Sequence, residues 1–180
     1  MRRCKGTEVV VLACLALLAS TEALAYTQAT EKIHTQQGPA QPDDCVSQAA
    51  KYHTVNPWIL RAIIQVESNF NAGALNKNRN GTVDVGVAQI NSMHFAELAK
   101  YGIGEKDLLN GCVSSYVAAW HLKKQHKAYG NTWYAVGAYH SATKCYNDRY
   151  TGLVWNVLQG WGVVTGPRVK PMPLSACRGN

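Results

Sequence analysis

The sequence lacks a long hydrophobic run beyond its first 25 residues, so we expect no membrane-spanning helix there. Charge is also sparse: 16% of the 180 residues are charged and 47% are hydrophobic, which excludes a disordered chain and indicates one globular domain. The net charge is +7, yet no stripe of basic and aromatic residues appears. We therefore expect no nucleic acid partner.

Zinc-binding patterns are missing too, because the sequence has neither a C-x2-C nor an H-E-x-x-H spacing. We expect neither a metal nor another cofactor. The alternative zinc set that the composition allows consists of His121, His126, His140 and Cys145.

The first 25 residues have the pattern of a secretory signal peptide. Three basic residues precede an apolar run at residues 9–19, and "ALA" at 23–25 is a small-x-small cleavage site. We expect export to the periplasm with cleavage after Ala25. Lipid attachment at Cys14 is the alternative.

Cysteine usage agrees with export. An even number of cysteines remains beyond residue 25, which in an oxidising compartment predicts two disulfide bonds. The four cysteines are Cys45, Cys112, Cys145 and Cys177. The sequence leaves all three of their possible pairings open.

The rest of the chain divides by composition. Residues 26–42 are polar, Gln-rich and aperiodic, which predicts a flexible linker. We expect a mainly α domain at residues 43–162 and an irregular, proline-containing tail at 163–180. Helix-capping residues predict helix starts, in chain order, at Asp43-Asp44, Asn56-Pro57, Ser92, Ser114, Thr132 and Asp148.

A polar segment follows the second of these helices. Residues 69–90 are rich in Asn and Gly, which predicts a long loop, with a small hairpin around Asn80-Gly81. A long loop beside a rigid helix is often functional.

One carboxylate stands in the apolar run "AIIQVESNFN", residues 62–71. In a helix, Glu67 shares a stripe with Leu60, Ile63 and Ile64. Burial and the negative end of the helix dipole both disfavour its anion, so its pKa should be raised and it can act as a proton donor. The alternative is a Glu at a frayed helix end that faces water, and the pattern alone leaves both open.

The order of several motifs carries more information than each motif alone. They are "DDCVSQAAKYH", "RAIIQVESNFNAGALN", "NGTVDVGVAQINS", "WYAVGAYH" and "RYTGLVWNVL". From residue 45 to about 158 the chain resembles the lysozyme-like lytic transglycosylases. The resemblance is strongest to the small exported members that accompany secretion, conjugation and type IV pilus machines.

The resemblance implies a role for each matching residue. Glu67 is the single essential acid, Gln89 lines the saccharide cleft, Tyr139 holds the sugar, and Tyr150 orients the acid. It also implies a Cys45–Cys112 disulfide, which leaves Cys145 for Cys177. The substrate would be the glycan strands of peptidoglycan, the product a 1,6-anhydromuramic end, and further partners the components of a wall-spanning machine.

Two motifs depart from the family pattern. The usual Gly-Leu-Met-Gln is Gly86-Val87-Ala88-Gln89, and the usual Ala-Tyr-Asn is Ala138-Tyr139-His140. These departures affect the shape of the cleft around the reacting sugar and leave the acid unchanged.

Asp84 decides between two mechanisms. If it faces Glu67 across the cleft, a hydrolytic lysozyme with two carboxylates is the alternative. Otherwise Asp84 stabilises the loop near its Gly86 turn. A non-catalytic wall-binding scaffold is a third hypothesis. The tryptophans are expected in the core and not as sugar platforms: Trp58, Trp120, Trp133, Trp155 and Trp161.

Overall fold

A computed structural model describes residues 45–177 of the protein. The predicted signal peptide, linker and Asp43-Asp44 cap lie outside this range, as do residues 178–180. Between residues 45 and 177 the fold is mainly helical with one small sheet, as predicted. No helix in this range is long and apolar enough to cross a membrane.

The first two helices cover the stretches predicted for them, and the second begins at its predicted cap. α1 spans Cys45–His53 and α2 spans Pro57–Ser68. The Asn56 side chain accepts hydrogen bonds from the amides of the second and third residues of α2, and Pro57 occupies a position where its missing N–H is not needed. α2 ends at Asn69, which adopts a left-handed conformation with φ of 52°.

The polar segment after α2 forms an antiparallel sheet in the order β1-β2-β3. Its strands are Leu75–Lys77, Val83–Val85 and Ile90–Asn91. The predicted hairpin around Asn80-Gly81 is confirmed, since the Asn78 amide donates to the Thr82 carbonyl at 2.8 Å. The third strand was not predicted, because two residues are too short a run to show an alternating pattern.

A short helical segment follows the sheet. α3 spans Phe95–Leu98 between two 3₁₀ turns, Ser92–His94 and Ala99–Tyr101, and Gly102 ends the segment with φ of 72°. The predicted cap at Ser92 was wrong by one residue. Asn91 is the cap, and the Ser92 hydroxyl instead accepts a hydrogen bond from the Val83 amide at 3.1 Å.

A 3₁₀ turn at Glu105–Leu109 leads into α4, the longest helix of the described range, which spans Gly111–Tyr129. The predicted start at Ser114 was three residues late. The Asn110 side chain caps the helix, whereas Ser114 is fully buried and its hydroxyl accepts a long hydrogen bond from the Ala88 amide. Asparagine caps as well as serine does, so the sequence did not distinguish them.

The next two helices pack closely against each other. α5 spans Trp133–Ala138 with Thr132 as its cap, and α6 spans Lys144–Gly160. α6 begins four residues before the predicted Asp148. Its first turn is anchored by Asn147, whose buried amide donates to two carbonyls near α5. Gly137 permits this approach, because a Cβ there would meet the Asn147 Oδ1 atom at 2.2 Å.

The core lies between α1, α2, α4, α5 and α6, with the sheet contributing Val85. Its largest fully buried aliphatic side chains are Leu60, Ile63, Ile64, Val85, Leu108, Leu122, Val136, Val154 and Leu158. The expectation of core tryptophans was partly wrong. Trp58, Trp120 and Trp161 pack against the core from its edge, whereas Trp133 is 38% exposed and pairs with Trp155.

Two disulfide bonds complete the fold, Cys45–Cys112 and Cys145–Cys177. The first is the pair that the family resemblance implied, and the second is the pair that this left by elimination. The predicted tail is irregular until α7, a short helix at Leu174–Cys177 that the sequence did not predict. Asn156 on α6 also holds the tail, because its side chain both donates to and accepts from the Val169 backbone.

Candidate active site

Glu67 lies in the last turn of α2, next to the start of the sheet segment. The three stripe residues that precede it, Leu60, Ile63 and Ile64, have no exposed surface, while the Glu67 side chain is partly exposed. The alternative of a frayed helix end does not hold, because the helix is hydrogen-bonded through Asn69. The carboxyl therefore stands where the buried stripe reaches solvent.

The chain turns sharply just after Glu67. Asn69 and Phe70 both have positive φ, 52° and 63°, an uncommon conformation for residues with side chains. The Ser68 hydroxyl holds this turn in place, because it donates to the Val87 carbonyl at 2.7 Å and accepts from the Asn71 amide at 3.1 Å. The end of α2 is thus tied directly to the loop between β2 and β3.

Tyr150 reaches Glu67 from 83 residues away. Its hydroxyl donates a hydrogen bond of 2.5 Å to Glu67 Oε1. Tyr150 lies on α6, which packs against α2, and it is almost fully buried. Its ring lies nearly parallel to those of Tyr139 and His140, with centroids 6.4 and 5.0 Å away.

The environment of Glu67 raises its pKa to about 7. Burial is the largest cause, the Tyr150 hydrogen bond opposes it, and the negative charge of Asp84 adds a further rise. Burial also raises the pKa of Tyr150 well above its ordinary value, so its hydroxyl remains a donor. Glu67 can therefore hold a proton near neutrality and release it to a bound group.

Tyr139 is a buried residue whose hydrogen bonds support the site. It is 8% exposed, and its hydroxyl donates to the Ala88 carbonyl at 3.1 Å. Its backbone carbonyl is hydrogen-bonded to His121 Nε2 at 3.1 Å. The hydroxyl that the resemblance assigns to sugar binding is thus directed at the backbone of the loop between β2 and β3.

Gln89 ends that same loop with φ of 47°. Its side-chain amide donates to the carbonyls of Ala74 and Gly86, at 3.2 and 3.0 Å. Gly86 is required here, because a Cβ would meet the Leu108 carbonyl oxygen at 2.0 Å, and its φ of 77° favours glycine. Gln89 therefore holds the loop to the chain that precedes β1.

Asp84 is held by asparagine side chains on the two neighbouring strands and on the residue that follows β1. Its carboxylate accepts hydrogen bonds from Asn76 at 3.3 Å, Asn78 at 2.8 Å and Asn91 at 2.7 Å. Asn76 and Asn91 lie directly opposite Asp84 on β1 and β3. The carboxylate thus holds the three strands together, and its charge still acts on Glu67.

These asparagines are the polar residues that the sequence reasoning missed. The available signal was the segment "NKNRNGTVDVG", in which Asn76 and Asn78 alternate with Lys77 as they do on one face of a strand. Only the register of β1 and β3 shows that these residues meet Asp84.

The alternative zinc set does not come together in the fold. Cys145 forms a disulfide with Cys177, and His121 Nε2 is hydrogen-bonded to the Tyr139 carbonyl. Residues 45–177 contain no cluster of three or more His, Cys, Asp or Glu side chains that could hold a metal ion.

A separate hollow of about 470 Å³ lies away from these residues. Tyr52, Tyr101, Tyr116 and Trp120 contribute its aromatic lining, and none of the predicted site residues borders it. Trp120 therefore lies at the surface of this hollow and not deep in the core.

The fold and the site define a class of enzyme. The family model called Transglycosylase SLT domain matches residues 44–151, so the chain belongs to that family. Membership makes the protein a lytic transglycosylase whose substrate is peptidoglycan.

Individual relatives cover most of the same domain. The chain is 42% identical to Invasion protein IagB of Salmonella typhimurium strain SL1344 over 117 residues, which is 62% of this chain and 73% of the relative. It is 39% identical to Protein IpgF of Shigella flexneri over 101 residues, 56% of this chain and 66% of the relative. It is 33% identical to X polypeptide of Escherichia coli strain K12 over 133 residues, 70% of this chain and 79% of the relative.

Proposed function

We propose that Glu67 is the catalytic acid and base that cleaves the β-1,4 bond between N-acetylmuramic acid and N-acetylglucosamine. The observation that carries this proposal is the Tyr150–Glu67 hydrogen bond at a carboxyl with a pKa of about 7. A group with that pKa is protonated often enough to donate and ionised readily enough to accept a proton later in the same reaction.

The reaction then needs one carboxyl in two roles. Glu67 donates its proton to the glycosidic oxygen while the bond from that oxygen to C1 of the muramic residue breaks. The oxygen of the N-acetyl group assists at C1. The Glu67 carboxylate next takes the proton of the C6 hydroxyl, whose oxygen attacks C1 and displaces the N-acetyl oxygen. A 1,6-anhydro ring forms, and Glu67 regains its proton without consuming water.

The bonding of Asp84 favours this route over hydrolysis. In a hydrolytic lysozyme, a second carboxylate attacks C1 or activates water. Asp84 instead has both oxygens engaged by asparagine amides, as a structural carboxylate would. We propose that it maintains the sheet and adds to the negative field that raises the pKa of Glu67.

Mass spectrometry of muropeptides from purified sacculi tests this chemistry. The expected products carry 1,6-anhydromuramic ends, lighter by one water than hydrolysis products. An Asp84→Asn variant should give the same anhydro ends with lowered stability, because a charge-assisted hydrogen bond is worth roughly twice a neutral one. Reducing ends from the wild type, lost in Asp84→Asn, would instead support the hydrolytic alternative.

The scaffold alternative predicts a different result. A non-catalytic wall-binding module would sediment with sacculi and release no muropeptides. A Glu67→Gln variant provides the baseline for release, because it keeps the shape of the side chain and removes the acid. If the wild type releases no more muropeptide than Glu67→Gln does, the scaffold alternative is supported.

We further propose that the enzyme acts in the periplasm after cleavage of residues 1–25, with residues 26–42 as linker, 43–162 as domain and 163–180 as tail. The signal-peptide pattern supports export, and the disulfide bonds suit an oxidising compartment. N-terminal sequencing of the exported protein should begin at Tyr26, whereas a lipidated Cys14 would overturn this processing.

The cellular role we propose is local opening of the wall for a secretion, conjugation or pilus machine. The resemblance to small exported transglycosylases supports it, and one relative is named an invasion protein. Assembly of the machine should fail in a strain whose chromosomal copy carries Glu67→Gln and recover with the wild-type copy. Normal assembly in the Glu67→Gln strain would contradict the role.

A further inference from the structure

His140 directly follows the buried Tyr139, at the end of α5, but its side chain is exposed. Its ring lies on the ring of Tyr150 with centroids 5.0 Å apart and planes only 5° from parallel. Because the Tyr150 hydroxyl is bonded to Glu67, one aromatic residue separates the exposed imidazole from the acid. The ring therefore forms part of the protein surface beside the Tyr150–Glu67 pair.

Asp84 acts electrostatically on both His140 and Glu67. The charge of Asp84 thus favours the protonated form of both the acid and the imidazole. Arg149, which precedes Tyr150 on α6, is the other charged residue that acts on His140.

The His140 ring has hydrogen-bonding capacity that the fold does not use. Within residues 45–177 neither ring nitrogen has a hydrogen-bond partner, although the backbone amide donates to Gly137. A neutral imidazole offers one N–H donor and one acceptor nitrogen. An N-acetylated sugar presents both complementary groups, in its hydroxyls and its amide.

We propose that His140 is a saccharide-binding residue of this site, which hydrogen-bonds the glycan through its neutral imidazole and weakens binding when it is protonated. The inference rests on the proposed function, because it takes the region around Glu67 as the glycan site. It adds a second titrating group at the position where the family pattern has an asparagine, which does not titrate.

The surroundings of His140 favour its neutral form. Although His140 is exposed overall, desolvation of its ring lowers its pKa below the ordinary value, Arg149 lowers the pKa further, and Asp84 acts in the opposite direction. Glu67 keeps its proton up to about pH 7. Protonated Glu67 and neutral His140 therefore coexist in mildly acidic solution. At lower pH the imidazolium loses its acceptor and places a second cation beside Arg149.

Glycan binding can be measured without turnover in the Glu67→Gln background. Titration calorimetry with chitohexaose should show Kd rising as the pH falls through the pKa of His140. Adding His140→Asn should remove that pH dependence. Adding His140→Phe keeps a ring against Tyr150 but no donor or acceptor, so binding near neutrality should weaken about fivefold, the usual worth of one neutral hydrogen bond. His126→Asn, a distant histidine on α4, is the matched control and should behave as the parent.

A second readout follows His140 directly. In an NMR titration of the Glu67→Gln protein, saturating chitohexaose should lower the pKa of the His140 ring, because a ligand that prefers the neutral form disfavours protonation. An unchanged His140 pKa, equal Kd values in His140→Phe and its parent, or no chitohexaose binding would overturn the inference. Anhydro products from the wild type would still support the proposed function in that case. A His140-dependent affinity without any wall cleavage would support the inference and refute the function.

Discussion

The two disulfide bonds enclose regions of different character. The Cys45–Cys112 bond closes a separation of 67 residues that contains α1, α2 and the sheet, whereas Cys145–Cys177 closes 32 residues containing most of α6 and the tail. Chain entropy alone hardly distinguishes them, since these lengths give about 4.4 and about 3.7 kcal/mol. The two bonds differ in the segments of the fold that they join.

The first bond joins two helices of the core. Cys45 begins α1, Cys112 lies in the first turn of α4, and these two helices pack against each other. The second bond joins α6 to a tail whose apolar side chains remain largely exposed: Val169, Met172 and Leu174. One bond therefore stabilises the core, and the other secures a surface segment.

The candidate site draws on both regions. Glu67 belongs to the first and Tyr150 to the second, so the hydrogen bond between them depends on the non-covalent packing of α2 against α6. Neither disulfide alone positions the acid. Variants in each region can therefore separate chemical from structural contributions.

The largest effect is expected from the acid in the first region. Glu67→Gln should lower peptidoglycan cleavage by at least about a hundredfold, because general acid catalysis contributes roughly 10²–10⁴-fold. Turbidity loss of a sacculus suspension measures this. Circular dichroism should show an unchanged fold, and cleavage near the wild-type rate would remove Glu67 from the mechanism.

The same variant should change how stability depends on pH. A folded-state pKa of about 7, raised from 4.5, means that the folded protein holds the proton more tightly and loses stability as pH rises between those values. Glu67→Gln removes this loss, so its Tm should exceed that of the wild type most at pH 8. The difference in Tm should narrow below pH 4.5. An equal difference at pH 8 and below pH 4.5 would contradict the raised pKa of Glu67.

Removing the first disulfide should give the largest structural effect. Cys45→Ala with Cys112→Ala is expected to cost about 4 kcal/mol of unfolding free energy and to reduce activity by loosening the packing around α2. Urea denaturation measures the first quantity and the sacculus assay the second. Unchanged activity in the folded variant would show that α2 presents Glu67 without help from this bond.

A smaller effect is expected from the tyrosine of the second region. Tyr150→Phe removes the hydrogen bond to Glu67 and should lower activity about tenfold, the equivalent of one good hydrogen bond to a charged group. Because that bond opposes the rise in pKa, its loss should raise the pKa of Glu67 further. The alkaline limb of the pH–rate profile should move to higher pH. A shift to lower pH would contradict the assigned role.

The smallest effect on activity is expected from the second disulfide. Cys145→Ala with Cys177→Ala should free the tail while activity stays within about twofold of the wild type, since Tyr150 remains anchored in α6 by its own packing. Limited proteolysis should cut within residues 163–177 of this variant and spare the wild type. Strong loss of activity would show that the tail supports the site.

Local sequence signals predicted the helical elements well where a single cap was available. Asn56-Pro57 and Thr132 marked their helix starts correctly. Ser114 and Asp148 did not mark helix starts, because their helices begin earlier in the chain. Ser114 is buried in the core, and Asp148 forms an ion pair with Lys144. Capping propensities differ too little to choose between neighbouring candidates.

The sequence by itself determined the mainly helical class, the buried stripe that ends in Glu67, and the hairpin, because helical periodicity and turn chemistry act over a few residues. Tertiary structure alone decided that Tyr150 meets Glu67, that asparagines from two separate segments of the chain engage Asp84, and that Tyr139 and Gln89 donate hydrogen bonds to loop carbonyls. Those contacts depend on helix packing and strand register. A local pattern contains no information on which distant partner a polar side chain will reach.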